Sequence, residues 1–169
     1  MSSISQVPSY LEVPQYILES GLADSGVIAV TQPRRVAATS LATRVAQEQG
    51  VKLGTRVGFS VRFSEMYGPE TRIKYVTDGM LARELQMDPL LSRYSVIVVD
   101  EAHERTLNTD ILLASLKGIQ QERRKGTALK KVGKNDKGKG KAEEELGLLK
   151  VVIMSATLDA EKFSKFFNK

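Results

Sequence analysis

The chain alternates short apolar runs with longer stretches whose apolar residues recur every three or four positions. Val27–Val30 and Val96–Val99 are wholly apolar and mostly β-branched. Each reads as a strand buried on both faces, as in a parallel sheet. Val151–Met154 has the same character, and Ile73–Val76 reads as a further strand. Val57–Phe63 alternates apolar with polar or small residues, a strand pattern of period two. Between these lie helical patterns. Pro14 suits the first position of a helix that runs to about Gly21. Val36 to about Gln49 forms a helix closed by Gly50, with Leu41 and Val45 on its core side and Val36, Thr39, Ser40 and Thr43 on a small-residue face. Thr77 or Asp78 caps a helix that buries Met80, Leu81 and Leu85 and ends at Asp88-Pro89. Leu107–Ile119 turns Leu112, Leu113 and Leu116 inward, and a last helix runs from Asp159 to about Phe167. Ser64–Thr71, with Gly68-Pro69, is a turn. The echo of Val7–Glu12 in Val13–Glu19 is too short to be a structural repeat.

Strands alternating with helices over short connections predict an α/β fold, a parallel sheet with helices on both faces. The C-terminal ends of such strands share one rim, where ligands bind. Four polar groups sit at predicted strand ends: Thr31–Arg35, Thr77–Gly79, Asp100–His103 and Ser155–Thr157. They are expected along one edge. The stretch Tyr94–Arg105 organises the rest. An Asp at the tip of a buried strand is the usual partner of a nucleotide-bound Mg²⁺. The adjacent Glu101 is suitably placed to orient a water toward a γ-phosphate.

Composition narrows the classes. The 169 residues suit one domain. No cysteine is present, so disulfides, thiolate zinc sites and a Cys nucleophile are excluded. The single histidine argues against a His-rich metal site. No apolar run approaches the ~20 residues of a membrane span, and the N-terminus has no signal-peptide core. An intracellular protein is expected, nuclear or cytoplasmic, with the nucleus favoured and no membrane partner. The net charge of +5 is unevenly placed. Glu122–Lys141 holds nine of the 25 basic residues and two of the 20 acids, which leaves the remainder slightly acidic. Total charge is therefore poor support for nucleic-acid binding. Residues 120–145 are Lys-, Gly- and Glu-rich and read as a disordered insert.

Asp100-Glu101-Ala102-His103 resembles motif II of the DEAH-box RNA helicases. Thr31–Ala38 is similar to their motif Ia, Thr77–Leu81 to motif Ib, and Ser155–Ala160 to motif III. Val57–Phe63 resembles the segment ahead of a β-hairpin turn in that family. The likeness runs from about Val13 to Phe167, broken by the insert. It implies a RecA-like first helicase domain over 13–119 and 146–169, with ATP or another NTP and Mg²⁺ as cofactors. By resemblance Asp100 holds Mg²⁺ through water, and Glu101, beside the metal, is the general base or water-positioning residue. His103 with Ser155, Ala156 and Thr157 couples nucleotide state to domain movement. Thr31, Gln32, Pro33, Arg34, Arg35, Thr77, Asp78 and Gly79 grip the RNA sugar-phosphate backbone without reading bases. Arg62 and Phe63 resemble part of an RNA-contacting turn, although a strand end packed on the core fits them equally. Residues after a strand and at a helix N-terminus do offer N–H groups to phosphate, and Arg binds phosphate with two parallel hydrogen bonds. Family membership further implies work in mRNA splicing or ribosome biogenesis, with ribonucleoprotein or G-patch-type partners.

One motif of the family is not found. Its P-loop, G-x-x-x-x-G-K-[ST], is expected ahead of Val13, where residues 1–12 hold neither glycine nor lysine. Gly133–Gly140 matches G-x-x-x-x-G-K but places Gly140 where Ser or Thr must reach Mg²⁺, and it follows no predicted strand. The expectation is an incomplete RecA-like sheet that lacks the P-loop strand, in a chain with little ATPase of its own. The alternative is a non-catalytic RNA- or partner-binding fragment that competes with a full-length helicase.

Overall fold

Six strands form one sheet in the order β3-β2-β4-β1-β5-β8. The computed structural model describes residues 9–23, 26–125, 129–130, 144–156 and 160–167. In chain order the elements are α1 (Ser9–Glu19), β1 (Val27–Gln32), α2 (Arg35–Glu48), β2 (Val57–Val61), β3 (Ser64–Met66), β4 (Ile73–Thr77), α3 (Asp78–Met87), β5 (Tyr94–Val99), a 3₁₀ turn (Ala102–Glu104), α4 (Leu107–Arg124), β6 (Leu129–Lys130), β7 (Glu144–Glu145), β8 (Lys150–Ile153) and α5 (Ala160–Phe167). All neighbours in the sheet are parallel except β3, which returns antiparallel along β2. This is the parallel α/β arrangement that the alternation of strands and helices predicts, in the RecA-like form that the resemblance implies.

The uninterrupted apolar runs have a direct explanation. Successive strand residues face opposite sides, and here both sides are covered. Ile28, Val30, Val96 and Val98 join Ala38, Ala42 and Val45 of α2 in one core layer. Val27, Ala29, Ile97 and Val99 join Leu81, Leu112 and Leu116 of α3 and α4 in the other. Each fully buried Val, Leu or Ile side chain contributes about 1.5–3 kcal/mol relative to an exposed one. A polar residue at any of these strand positions would face a dry layer.

Several expectations need correction. The first helix begins at Ser9, so Pro14 is its sixth residue rather than its first. Val57–Val61 is buried throughout, not on alternate residues. The segment expected to be a simple turn opens with β3. A two-residue tip, Arg62-Phe63, joins it to β2, and Phe63 adopts φ 68°. That conformation favours Gly or Asn, so the hairpin carried no turn signal. The core face of α2 is built from Ala38, Ala42, Val45 and Ala46, while Leu41 is only partly buried. Small residues let the helix sit close to the sheet. The insert was expected to be disordered from residue 120, but α4 continues to Arg124 and Arg123 is buried. Its guanidinium donates to the carbonyls of Leu90 (2.7 Å), Leu91 (2.5 Å), Tyr94 (2.8 Å) and Gly147 (3.4 Å). Farther along, β6 pairs antiparallel with β7. The P-loop-like Gly133–Gly140, Thr157 and residues 1–8 lie outside the described residues. Among the described residues, β8 has β5 as its one strand neighbour.

Candidate functional site

Strand register builds the site. Pairing sets Ser60, Val76, Thr31, Val99 and Ile153 side by side across five strands. The next residues along β4, β1, β5 and β8 are Thr77, Gln32, Asp100 and Met154. They therefore form a row at the C-terminal rim, and Gln32 stands between Thr77 and Asp100. The tip Arg62-Phe63 follows β2, which is parallel to β4, and projects from the same rim. All four expected groups lie along this edge, as far as they are described.

Asp100 is buried. Its Oδ2 accepts a 2.5 Å hydrogen bond from Gln32 Nε2, and its Oδ1 accepts from the Glu101 backbone N–H at 2.8 Å. Burial pushes the carboxyl above its ordinary range. The two hydrogen bonds oppose this, the Glu101 charge reinforces it and His103 opposes it. Such a group gains from a nearby cation. A single carboxylate of this kind suits Mg²⁺, which keeps several waters and uses few protein ligands. Among the described residues no cluster of three or more His, Cys, Asp or Glu groups could hold a metal ion, so water and phosphate would complete the shell. The motif G-x-x-x-x-G-K-[ST] does not occur in the sequence.

The backbone after Asp100 is strained. Glu101 (φ 53°, ψ 34°) and Arg105 (φ 47°, ψ 44°) are both left-handed and bracket the 3₁₀ turn. Each such non-glycine residue costs of order 1–3 kcal/mol and persists only when its surroundings fix it. Ala102 N–H donates to Met154 O at 3.1 Å, and Met154 N–H donates to Val99 O at 2.8 Å. The Arg105 guanidinium grips Asp110 at 2.7 and 3.1 Å. On the other flank Arg34 Nη2 lies 3.1 Å from Glu104 Oε1.

His103 Nδ1 has two neighbours. It lies 3.3 Å from Glu101 Oε2 and 3.3 Å from the Ala156 backbone N–H. The first contact needs a proton on Nδ1 and the second needs its lone pair. Only one operates at a time, so the imidazole tautomer selects between the Glu101 side chain and the β8–α5 loop. Ser155 lies in that loop beside Ala156.

The remaining candidates divide by exposure. Arg34, Arg35 and Val36 are exposed at the start of α2, and Pro33 is half-buried ahead of them. Arg34 occupies the N-cap position without a side-chain cap bond. Gly79 is exposed in the first turn of α3 and Thr77 is half-buried. Of the two expected caps, Thr77 takes the N-cap position without a side-chain bond and Asp78 is the first residue of the helix itself. Asp78 is buried and accepts a hydrogen bond from Thr109 Oγ1, which ties α3 to α4. Thr31 and Gln32 are likewise turned inward. Phe63 is 86% exposed with the Arg62 guanidinium 4.8 Å over its ring. The core-packing alternative for this pair is therefore overturned. Sequence reasoning did not find Gln32 as the partner of Asp100 or Glu104 as the partner of Arg34. Counting register from the polar ends of β1 and β5 would have found the first. No local signal marks the second.

Comparison with known proteins adds relatives over nearly the whole chain. It is 48% identical over 158 residues to the ATP-dependent RNA helicase DHX33 of Mus musculus, covering 94% of this chain and 20% of that protein. It is 52% identical over 160 residues to the probable ATP-dependent RNA helicase DHR2 of Saccharomyces cerevisiae, 93% of this chain and 19% of the relative. It is 45% identical over 176 residues to the pre-mRNA-splicing factor ATP-dependent RNA helicase DEAH10 of Arabidopsis thaliana, 93% and 24% respectively. The chain thus spans about a fifth of the length of these curated relatives. No protein-family profile matches it.

Proposed function

Because this chain belongs to the DEAH-box ATP-dependent RNA helicases, as a segment of about a fifth of their length, we propose that its rim is the nucleotide- and RNA-facing edge of the first RecA-like domain of such an enzyme. The observation that carries this reading is the register-matched row of strand tips, with Gln32 bonded to Asp100 at its centre. In this reading Asp100 holds Mg²⁺ through water, and Glu101 orients or deprotonates the attacking water. A bound magnesium ion supplies charge neutralisation at phosphate oxygens. His103, with Ser155, Ala156 and Thr157, passes the state of that site to the β8–α5 loop. Pro33, Arg34, Arg35, Thr77, Gly79 and the Arg62-Phe63 tip contact the RNA backbone. Thr31, Gln32 and Asp78, being turned inward, position this surface rather than touch RNA with their side chains. Contact with phosphate and sugar alone fits an enzyme indifferent to sequence.

The chain alone is inactive as an ATPase, because its sequence holds no G-x-x-x-x-G-K-[ST] motif to cradle the phosphates. Phosphate release, measured with and without single-stranded RNA, should stay at background. RNA-stimulated turnover that Glu101→Gln abolishes would overturn this. The whole protein acts in RNA processing, in the nucleus, alongside ribonucleoprotein or G-patch-type partners. A second reading, a non-catalytic fragment that competes with a complete helicase, draws on the Lys-rich segment after α4.

A further inference from the structure

Arg34 does not stand free at the rim. Its guanidinium is paired with Glu104 at 3.1 Å. Arg34 is the N-cap of α2, separated from β1 by Pro33 alone. Glu104 closes the 3₁₀ turn that carries Glu101 and His103. The pair thus joins two of the four rim groups across 70 residues of sequence. The Arg34 side chain is 77% exposed and that of Glu104 29%. One partner faces solvent and the other leans on the protein.

From this we infer that Glu104 is a positioning residue that reports RNA to the Asp100–His103 turn. A phosphodiester arriving at Arg34 carries the same charge as Glu104. The two anions compete for one guanidinium, because sharing it would set like charges within a few ångströms of each other. When phosphate takes Arg34, Glu104 is released and the turn loses one of its outer restraints. Its bracketing residues, Glu101 at φ 53° and Arg105 at φ 47°, hold a costly backbone that contacts must maintain. Other contacts still hold it, among them Ala102 on Met154, Arg105 on Asp110 and the Glu104 N–H on Glu101 O. Loss of the Arg34 contact therefore biases the turn toward relaxation. Through it the balance at His103 Nδ1, between Glu101 and the Ala156 N–H, is shifted as well. By linkage the effect is reciprocal: a turn that favours the Arg34–Glu104 pair weakens RNA binding.

This inference rests on the RNA-facing reading above, and the experiment separates the two. Binding of a fluorescent single-stranded oligoribonucleotide to the full chain is measured for wild type, Glu104→Gln, Arg34→Ala and the double variant. Removal of the competing carboxylate should tighten binding about two- to fivefold, the range expected for release of a surface ion pair. A mere reduction of negative field would persist in the Arg34→Ala background. The proposed exchange requires that the gain disappear there. His103 is the only histidine, so its imidazole NMR signals are unambiguous. They should move when RNA is added to wild type. In RNA-free Glu104→Gln they should already lie near the RNA-bound position. RNA binding with no gain in Glu104→Gln, or a gain that survives Arg34→Ala, overturns the Glu104 inference and leaves the RNA reading intact. No binding of RNA by wild type at low salt overturns both.

Discussion

Asp100 is poised against its own fold. The carboxyl ordinarily titrates near about 3.9, and burial raises that value in the folded chain. The folded state therefore binds the proton more tightly than the unfolded chain does. Stability falls as pH rises from about 4 through the raised value and stays lower above it. Asp100→Asn removes this penalty. Gln32 accommodates the change by rotating its amide so that its oxygen faces the new NH₂. Thermal melts at pH 7 should show Asp100→Asn more stable than wild type. The gain should vanish near pH 4. Gly79 offers a complementary test. A Cβ there would meet nothing closer than Asn108 Nδ2 at 3.5 Å, an ordinary contact. Packing does not demand glycine, and Ala is better in a helix by roughly 0.5–1 kcal/mol. Gly79→Ala should thus raise the melting temperature slightly while weakening oligoribonucleotide binding if an RNA backbone approaches closely. Equal RNA affinity in Gly79→Ala would remove this residue from the interface. At this scale the sequence marked the chemically unusual residues well, since acids and a lone histidine after an apolar run stand out. It concealed their partners, because Gln32 and Glu104 are ordinary residue types given meaning only by register and by a contact distant in sequence.

Among the elements, α4 shows how a polar segment becomes structural. Charged residues near its end look like a solvated tail, yet Arg123 turns inward and satisfies four carbonyls. Two belong to the segment that leads into β5, where Leu91 holds φ 47° and Asp88 accepts from the backbone of Leu90 and Ser92, and a third is Tyr94, the first residue of the strand. Burial pulls the guanidinium pKa down, and the Asp88 charge opposes this. Arg123→Ala would strip these carbonyls of the guanidinium's donors, leaving Leu91 O only the Tyr94 N–H, and should cost about 3 kcal/mol by urea unfolding. Arg123→Lys should recover little, since a single ammonium lacks the planar fork. Elements with dry faces on both sides were legible because nothing but apolar residues works there. The β2–β3 hairpin was not, because Phe63 adopts the turn conformation that glycine or asparagine would have advertised. The end of α4 was not, because one buried arginine outweighed the local composition.

For the molecule as a whole, parallel strands oblige their C-terminal tips to share an edge, so the rim was legible from strand order alone. The location of charge was legible too. The segment after α4 is basic, and it cannot simply be deleted from Glu122 because Arg123 belongs to the core. Substituting Gln for Lys130, Lys131, Lys134, Lys137, Lys139 and Lys141 leaves Arg123 in place. If the rim dominates RNA binding, the slope of log K against log salt should change by less than the about 0.7 that one single-strand phosphate contact contributes. A change of several times that amount would move the affinity to the Lys-rich segment.

The pairing of Leu129 with Glu145 and of Lys130 with Glu144 has a practical corollary. The polypeptide departs from the domain and re-enters it at adjacent points, with Arg123 and Gly147 fastened together just inside the junction. Once the two ends are paired, added chain length between them bears only weakly on closure. A fluorescent or affinity module spliced between Lys130 and Glu144 would ride on the molecule as cargo, and the ledge of strand tips would not register its presence.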